Sequence, residues 1–367
     1  MSASERSPRT RPRRVLRKTL IGTGVALGAA VAGVAAERYL VRRARSQPDP
    51  ERDEALNERP GTERRVTSFD GTEIAVHAIG PEGAPTLVFA HAITLDMTAW
   101  HFQWKELSGR YRCILYDQRG HGRSAKANDG DYSLQALGHD LKAVLDAEAP
   151  TGPVVLLGHS MGGMSILSFA ELFPEEFGRR VQAVILANTA AADVLKEVLG
   201  GVAARVGRFF IPTPRWLMGK PELAAWMRSG ALGLSPDLAF LAVRLTNFGS
   251  RASPAVVDHV ASIAGRAPTE VWTDLIVSVA QIDLAHAIER ISVPALVIVG
   301  DVDRITPPSS ALAIKRKLPQ GRMVVLKEAG HCAMLERHTL FNQAVTKFLE
   351  QALPAAGAKA PAAAASR

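Results

Sequence analysis

One serine in this sequence lies in a setting that can make it a nucleophile. Residues 154–163 read VVLLGHSMGG, in which Gly158 and Gly162 flank Ser160 as G-x-S-x-G between an apolar run and a helical pattern. A serine on such a strand-to-helix turn takes a strained backbone conformation, and larger side chains two residues away would clash. The turn lifts the hydroxyl above the sheet edge, beside the N–H of Met161. The spacing therefore predicts a nucleophile elbow.

A serine hydroxyl is a weak nucleophile at neutral pH, so it needs a base in hydrogen-bonding reach and a carboxylate that orients the base. Two later loops carry these groups. The apolar run ALVIVG ends at Gly300 and is followed by Asp301 and Asp303, and the last apolar run is followed by His331. The chain order of serine, aspartate and histidine predicts a catalytic triad. Its candidates are Ser160, Asp303 and His331.

The loops with these residues must be positioned by a sheet. Short apolar runs alternate with amphipathic stretches, and this alternation predicts an α/β domain with a mostly parallel sheet. The later runs are apolar throughout, which is typical of strands covered by helices on both faces. We expect eight strands, at Arg65–Phe69, Glu73–Ile79, Thr86–His91, Arg112–Tyr116, Pro153–Leu157, Val181–Ala187, Ala295–Val299 and Met323–Lys327.

The alternation stops between residues 190 and 267, where aromatic residues and methionines lie among helix-forming residues. We interpret 190–267 as a helical cap that separates two parts of the core domain, 63–189 and 268–353. The cap would cover the site with apolar surface, which favours a lipophilic acyl or ester substrate. Taken singly, each of these side chains is more typical of the core of the cap itself. The candidates for lining the substrate pocket are Trp216, Met218, Trp226 and Met227.

The positive charge of the chain is concentrated in a leader. Residues 1–45 hold eleven of the 44 Lys and Arg but two of the 36 Asp and Glu, which leaves 33 basic and 34 acidic residues in the rest. A nearly neutral body is not the electrostatic footprint of a nucleic-acid-binding protein. The uncharged run 20–36 has 17 residues, with seven basic residues before it and four after it. It predicts a membrane-spanning helix at the lower length limit, with the catalytic body outside the cytoplasm.

Two alternatives to a membrane anchor remain open. Arg13 and Arg14 resemble a twin-arginine export signal, with a candidate cleavage site at residues 30–32, and the run could also be a surface helix.

Residues 46–62 are polar and contain prolines, which predicts a linker. Residues 354–367 are mostly alanine, without aromatic residues, and predict a disordered tail.

Four motifs, in their order along the chain, resemble those of the serine-nucleophile α/β-hydrolase superfamily. The resemblance covers about residues 63–352. Besides the elbow, DQRGHGRS at 117–124 is similar to the superfamily's D-x-R-G-x-G-x-S loop. The run from Gly300 to Pro307 resembles its acid loop, and Gly330 with the following histidine resembles its histidine loop. The spacing of the acid loop in the superfamily favours Asp303 over Asp301 as the carboxylate.

The resemblance also implies an oxyanion hole formed by the backbone N–H groups of Ile93 and Met161. Such a hole stabilises the negative charge that develops on the substrate carbonyl oxygen. Here the sequence departs from the usual pattern, which has His-Gly where this chain has His91 and Ala92. Ala92 fits the loop if its φ is negative.

Together these residues predict a cofactor-free hydrolase that cleaves a lipophilic carboxylic ester through an acyl-enzyme. The histidines lack the spacing of metal ligands, and two cysteines are too few for a disulfide scaffold or a Cys-rich metal site. Lactonases, thioesterases, C–C bond hydrolases and perhydrolases use the same triad and remain alternatives. A catalytically silent module that binds a lipophilic ligand or a partner is an alternative of another class. The filled triad positions favour the enzyme.

Overall fold

The structure is a computed structural model and describes residues 35–192 and 236–353. Within these residues, eight strands form one sheet in the order β1-β2-β4-β3-β5-β6-β7-β8. The strands are β1 Thr62–Thr67, β2 Glu73–Ile79, β3 Thr86–Ala90, β4 Arg112–Tyr116, β5 Val154–His159, β6 Val181–Ala187, β7 Ala295–Gly300 and β8 Gly321–Leu326. Strand β2 pairs antiparallel with β1 and β4, and the other pairs are parallel. The predicted mostly parallel, eight-stranded sheet is confirmed.

Helices lie on both faces of this sheet. They are α1 over residues 35–45, α2 His101–Leu107, α3 Leu134–Glu148, α4 Met161–Leu172, α5 Pro236–Asn247, α6 Pro254–Arg266, α7 Thr269–Ala280, α8 Pro308–Lys317, α9 Ala333–Glu336 and α10 His338–Ala352. Helix α3 shows how the sequence determines such an element. Its apolar side chains recur every three or four residues and are buried, and the hydroxyl of Ser133 caps it by accepting from the N–H of Ala136.

Two apolar clusters, one on each face of the sheet, form the core. Along β5, Val154 and Leu156 belong to one cluster, whereas Val155 and Leu157 belong to the other. Successive side chains of a strand point to opposite faces, so a strand covered on both sides must be apolar at every position. This explains why the later strands appear in the sequence as continuous apolar runs.

Between β6 and β7, the described part of the chain is helical. Helices α5 and α6 contribute Phe240, Val257 and Ile263 to the same core cluster as α2 and α10, and α7 contributes Leu275 to the other cluster. These helices therefore pack as part of the body. The four candidate pocket residues, Trp216, Met218, Trp226 and Met227, lie outside the described residues, as does the tail at 354–367.

The segment expected to be a linker lies along the body. We call residues 46–61 the N-terminal strap. Leu56 is buried in the core cluster of α2 and α10. The carboxylate of Asp49 accepts from the N–H of Ala255, and that of Glu51 lies 3.1 Å from Nε2 of His338. The strap is thus joined to α6 and α10 by specific contacts.

The predicted membrane anchor, with its membrane location, is corrected by the structure. Over the two described ranges, no helix has the length and apolar character needed to cross a membrane. Helix α1 instead docks on the body. Its Val41 is buried, and its Arg45 makes two hydrogen bonds of 2.6 and 3.0 Å to the carboxylate of Asp258 while lying 4.5 Å from the ring of Phe240. Residues 1–34, with most of the predicted span and the arginine pair, lie outside the described residues.

Candidate active site

Ser160 lies between β5 and α4 with φ 52° and ψ −116°, a conformation that residues other than glycine rarely adopt. Its carbonyl oxygen accepts a 2.7 Å hydrogen bond from the hydroxyl of Thr189. A Cβ atom on Gly158 would lie 2.5 Å from the carbonyl oxygen of Gly162, and one on Gly162 would lie 2.1 Å from that of Ala90. Close packing of strand, turn and helix therefore requires glycine at both positions.

Asp303 follows β7 and is buried. Its carboxylate accepts from the N–H groups of Ile305 and Thr306 at 2.9 and 3.1 Å, and from the hydroxyl of Thr306 at 2.9 Å. Its Oδ2 also lies 3.0 Å from Nδ1 of His331. Burial raises the pKa of Asp303, but the charge of His331 and these hydrogen bonds outweigh burial and hold the pKa well below its usual range. The carboxylate is therefore ionised at neutral pH and can orient the imidazole.

The structure separates the two aspartates that the sequence left in competition. The carboxylate of Asp303 faces the ring of His331, while that of Asp301 lies 3.6 Å from Nζ of Lys327 and is a quarter exposed. The structure thus brings Asp303 to the candidate base and leaves Asp301 beside a lysine.

The backbone around His331 is held from several sides. Its carbonyl oxygen accepts a 2.9 Å hydrogen bond from Nε2 of His159, and the two rings lie 4.9 Å apart. On either side, the N–H of Gly330 donates to the carboxylate of Glu336, and the N–H of Cys332 donates to the carbonyl of Asn247. Because His159 immediately precedes Ser160, this contact joins the histidine loop to the elbow.

Asn188 is a site residue that the sequence reasoning missed. It follows β6 with φ 45°, and its side-chain amide donates to Oδ2 of Asp303 at 2.8 Å and to the carbonyl of Gly330 at 3.1 Å. One side chain therefore joins the acid loop to the histidine loop. The available signal was a polar residue directly after a buried parallel strand, where ligands and catalytic groups gather in α/β proteins.

The two predicted oxyanion-hole donors lie on the loop after β3 and at the start of α4. Met161 is the first residue of α4, and N–H groups in a first helical turn have no acceptor within the helix. The described non-glycine residues with positive φ are Thr94, Ser160, Asn188 and Glu328. The φ of Ala92 is therefore negative, as the alanine requires, and the left-handed residue of the loop is Thr94. The part that Ile93 plays in the reaction stays a prediction.

Two neutral histidines support the loop after β3. Nε2 of His121 accepts from the N–H of Thr94 at 3.2 Å, and Nε2 of His91 accepts from the N–H of Gln118 at 2.9 Å. In both rings, Nδ1 lies 2.8 to 3.0 Å from a backbone carbonyl oxygen and donates to it. Burial lowers the pKa of each ring to about 4, so both rings are neutral at pH 7 and keep these acceptors.

Comparisons with known proteins agree with this architecture. A family model described as "alpha/beta hydrolase fold" matches residues 85–338. The chain belongs to this family. The predicted superfamily and fold are thereby confirmed, and the α/β hydrolase family supports a hydrolase as the general function.

Curated relatives of this α/β hydrolase differ in substrate. The 3-oxoadipate enol-lactonase 2 of Acinetobacter baylyi is 28% identical over 277 residues, which cover 74% of this chain and 91% of the relative. The 2-hydroxy-6-oxononadienedioate/2-hydroxy-6-oxononatrienedioate hydrolase of Cupriavidus pinatubonensis is 29% identical over 296 residues, covering 79% and 96%. A thermophilic esterase from Thermogutta terrifontis is a structural neighbour with a TM-score of 0.62 and 26% identity, covering 80% of this chain and 99% of its own.

In ranges 35–192 and 236–353, no three His, Cys, Asp or Glu side chains are grouped so that they could hold a metal ion. Cys113 and Cys332 are free and buried, and burial raises the pKa of both thiols, that of Cys113 to about 12. Both cysteines are therefore protonated at neutral pH.

Proposed function

We propose that this α/β hydrolase cleaves a lipophilic carboxylic ester through an acyl-enzyme on Ser160. His331 is the base and Asp303 is the carboxylate that orients it. The observation that carries the proposal is the buried pair of Asp303 and His331, with Oδ2 and Nδ1 3.0 Å apart, in which His159 joins the histidine loop to the elbow. Acyl transfer by a serine requires a histidine base that a carboxylate holds in place.

In this mechanism, the hydrogen on Nδ1 of His331 points to Asp303, which leaves Nε2 to remove the proton of the Ser160 hydroxyl. The serine oxygen attacks the ester carbonyl, and the resulting oxyanion accepts from the N–H groups of Met161 and Ile93. The intermediate collapses to the acyl-enzyme as His331 returns the proton to the departing alcohol. A water molecule, activated by the same imidazole, then releases the carboxylic acid and restores the serine.

The substrate class rests on two supports. The esterase neighbour and the enol-lactonase relative both carry names of enzymes that cleave esters, linear or cyclic. The lipophilic character rests on the sequence of the insertion, with Trp216, Met218, Trp226 and Met227 as its candidate lining. Lactones are therefore included with linear esters in the test.

Covalent labelling tests the nucleophile. We expect a fluorophosphonate probe to label the full chain and a Ser292→Ala control, in which an exposed serine is removed, but not Ser160→Ala. Circular dichroism and thermal melting establish that each variant is folded. Labelling of folded Ser160→Ala would remove this serine from the mechanism.

The rate of ester hydrolysis as a function of chain length tests the substrate class. For p-nitrophenyl esters from acetate to dodecanoate, we expect kcat/KM to rise along the series, by about fivefold for each well-packed contact of about 1 kcal/mol. A flat profile with normal labelling would reject the lipophilic substrate and leave the nucleophile in place. If lactones are hydrolysed and the linear esters are not, the substrate class is cyclic esters.

A further inference from the structure

Two buried carboxylates meet beneath the loop that carries Ile93. Oδ1 of Asp96 accepts from the N–H and the hydroxyl of Thr98. Oδ1 of Asp117 accepts from the N–H of Met97 at 2.7 Å, and its Oδ2 accepts from the N–H of Arg123 at 2.8 Å. Asp96 is 3% exposed and Asp117 is fully buried, so their charges need a partner inside the protein.

The N-terminal strap supplies that partner. Nη2 of Arg59 lies 2.9 Å from Oδ2 of Asp96, and its Nη1 lies 2.9 Å from Oδ2 of Asp117. The guanidinium therefore bridges the loop after β3 and the loop after β4 with one nitrogen for each carboxylate. Arg59 precedes residues 85–338, which the family model matches, so the resemblance assigns it no role.

The position of the bridge links it to the candidate oxyanion hole. Asp96 lies three residues after Ile93, and the turn between them is closed by a hydrogen bond from the N–H of Leu95 to the carbonyl of Ala92. Beyond Asp96 the chain enters the short 3₁₀ helix Met97–Trp100. A shift of Asp96 would therefore move the N–H of Ile93.

The electrostatics of the pair explain why Arg59 is needed. Burial raises the pKa of Asp117, and the neighbouring charge of Asp96 raises it further, whereas Arg59 lowers it. For Asp96, burial raises the pKa, but the hydrogen bonds from Thr98 and the charge of Arg59 outweigh it and leave the pKa lowered. In the part of the chain that the structure describes, the other cation paired with Asp96 is Arg266, with Nη2 4.0 Å away and a side chain that is 61% exposed. Without Arg59, the two carboxylates would repel each other across the base of the loop.

We propose that Arg59 is a positioning residue for the oxyanion hole and that the N-terminal strap is therefore a working part of the active site. The inference rests on the proposed acyl-enzyme function. Oxyanion contacts form fully only in the transition state, so a misplaced donor lowers kcat more than it changes KM. A displacement of about 1 Å in such a site can cost about a hundredfold in rate.

The test compares Arg59→Ala and Arg59→Lys with Arg52→Ala, a strap control whose side chain is 80% exposed. The final amplitude of fluorophosphonate labelling measures the fraction of molecules with a folded active site. The rate constant of labelling measures how well that site supports the reaction of its serine. We expect Arg59→Ala to reach full amplitude with a rate constant about tenfold to a hundredfold lower. Its kcat for an ester should fall similarly, with KM within about twofold. Arg52→Ala should match the unmodified chain.

Arg59→Lys keeps the charge but loses the fork that reaches both carboxylates. Its labelling rate constant should therefore lie between those of Arg59→Ala and the unmodified chain. This variant carries the test if Arg59→Ala does not fold. The inference would be overturned if the folded Arg59 variants reached full labelling amplitude with an unchanged rate constant. It would also be overturned if they lost amplitude only, with the rate constant unchanged. Labelling of folded Ser160→Ala would instead show that the proposed function itself is wrong.

Discussion

Replacing Asp303 with asparagine should remove most of the activity while the protein remains folded. The carboxylate accepts hydrogen bonds at both oxygens, from Ile305, Thr306, Asn188 and His331. An asparagine accepts at one of these atoms and places an NH₂ group against donors at the other. The imidazole then loses the negative charge that stabilises its protonated form and the acceptor that fixes its tautomer.

The size of the loss follows from the geometry. The imidazolium that forms during the reaction carries its charge 3.0 Å from Oδ2 of Asp303. At an effective dielectric constant of about 20, two unit charges at this distance interact by about 5.5 kcal/mol. This corresponds to about 10⁴ in rate, the order seen for the equivalent change in a serine protease. The unpaired donors should also lower the free energy of unfolding by about 1 to 3 kcal/mol.

Steady-state hydrolysis of a p-nitrophenyl ester, measured well below the melting temperature of each variant, gives kcat for Asp303→Asn. Asp301→Asn is the matched control, because it removes the same charge two residues away, beside Lys327. We expect about a 10⁴-fold loss for the first variant and less than about tenfold for the second. Equal losses, or a larger loss at Asp301, would refute the assignment of the acid.

Two further predictions concern stability. Gly162→Ala should lower the free energy of unfolding by about 3 kcal/mol or more, because its Cβ would lie 2.1 Å from the carbonyl oxygen of Ala90. The control is Gly265→Ala on α6, where a Cβ would meet nothing, and it should raise the free energy of unfolding by about 1 kcal/mol. Burial lowers the pKa of His259 to about 4, so the unfolded chain binds a proton that the folded chain excludes, and stability should fall as pH drops from about 6.5 to 4. His259→Gln should remove about 3 kcal/mol of that fall.

Urea unfolding measures both effects. The glycine prediction fails if the two alanine variants change the free energy of unfolding alike. The histidine prediction fails if the unmodified chain and His259→Gln lose stability in parallel over this pH range.

The features that the sequence determined are those that depend on neighbours in the chain. The glycine at 158 is required by a residue four positions away, since an extra Cβ there would meet Gly162, whereas the glycine at 162 is also required by the distant Ala90 on β3. The central strands β3, β5 and β7 are buried at every position and are therefore mostly apolar, and the predicted ends of all eight strands agree with the structure to within three residues. Chain order then fixed which loops follow parallel strands and share one edge of the sheet.

The charge pattern of the leader gave a different outcome. The hydropathy of a segment and the charges beside it depend on residue types and not on tertiary contacts. These two features predicted a membrane anchor that the described structure does not contain. Helix α1 and the strap are held by Arg45, Asp49 and Leu56 against residues far along the chain. A polar, proline-containing composition cannot distinguish such a docked segment from a free linker.

Only the tertiary structure decided which side chains meet. Asn188 reaches Asp303 across 115 positions, and Arg59 reaches Asp117 across 58, so neither contact leaves a local pattern. The choice of Asp303 over Asp301 depends on which carboxylate the turn after β7 aims at His331, a matter of loop geometry. Local sterics and periodicity are encoded within a few residues, whereas the pairing of buried charges depends on where separate elements pack. For that reason the sequence determined the fold and the candidate triad, and the structure revealed the groups that hold them in place.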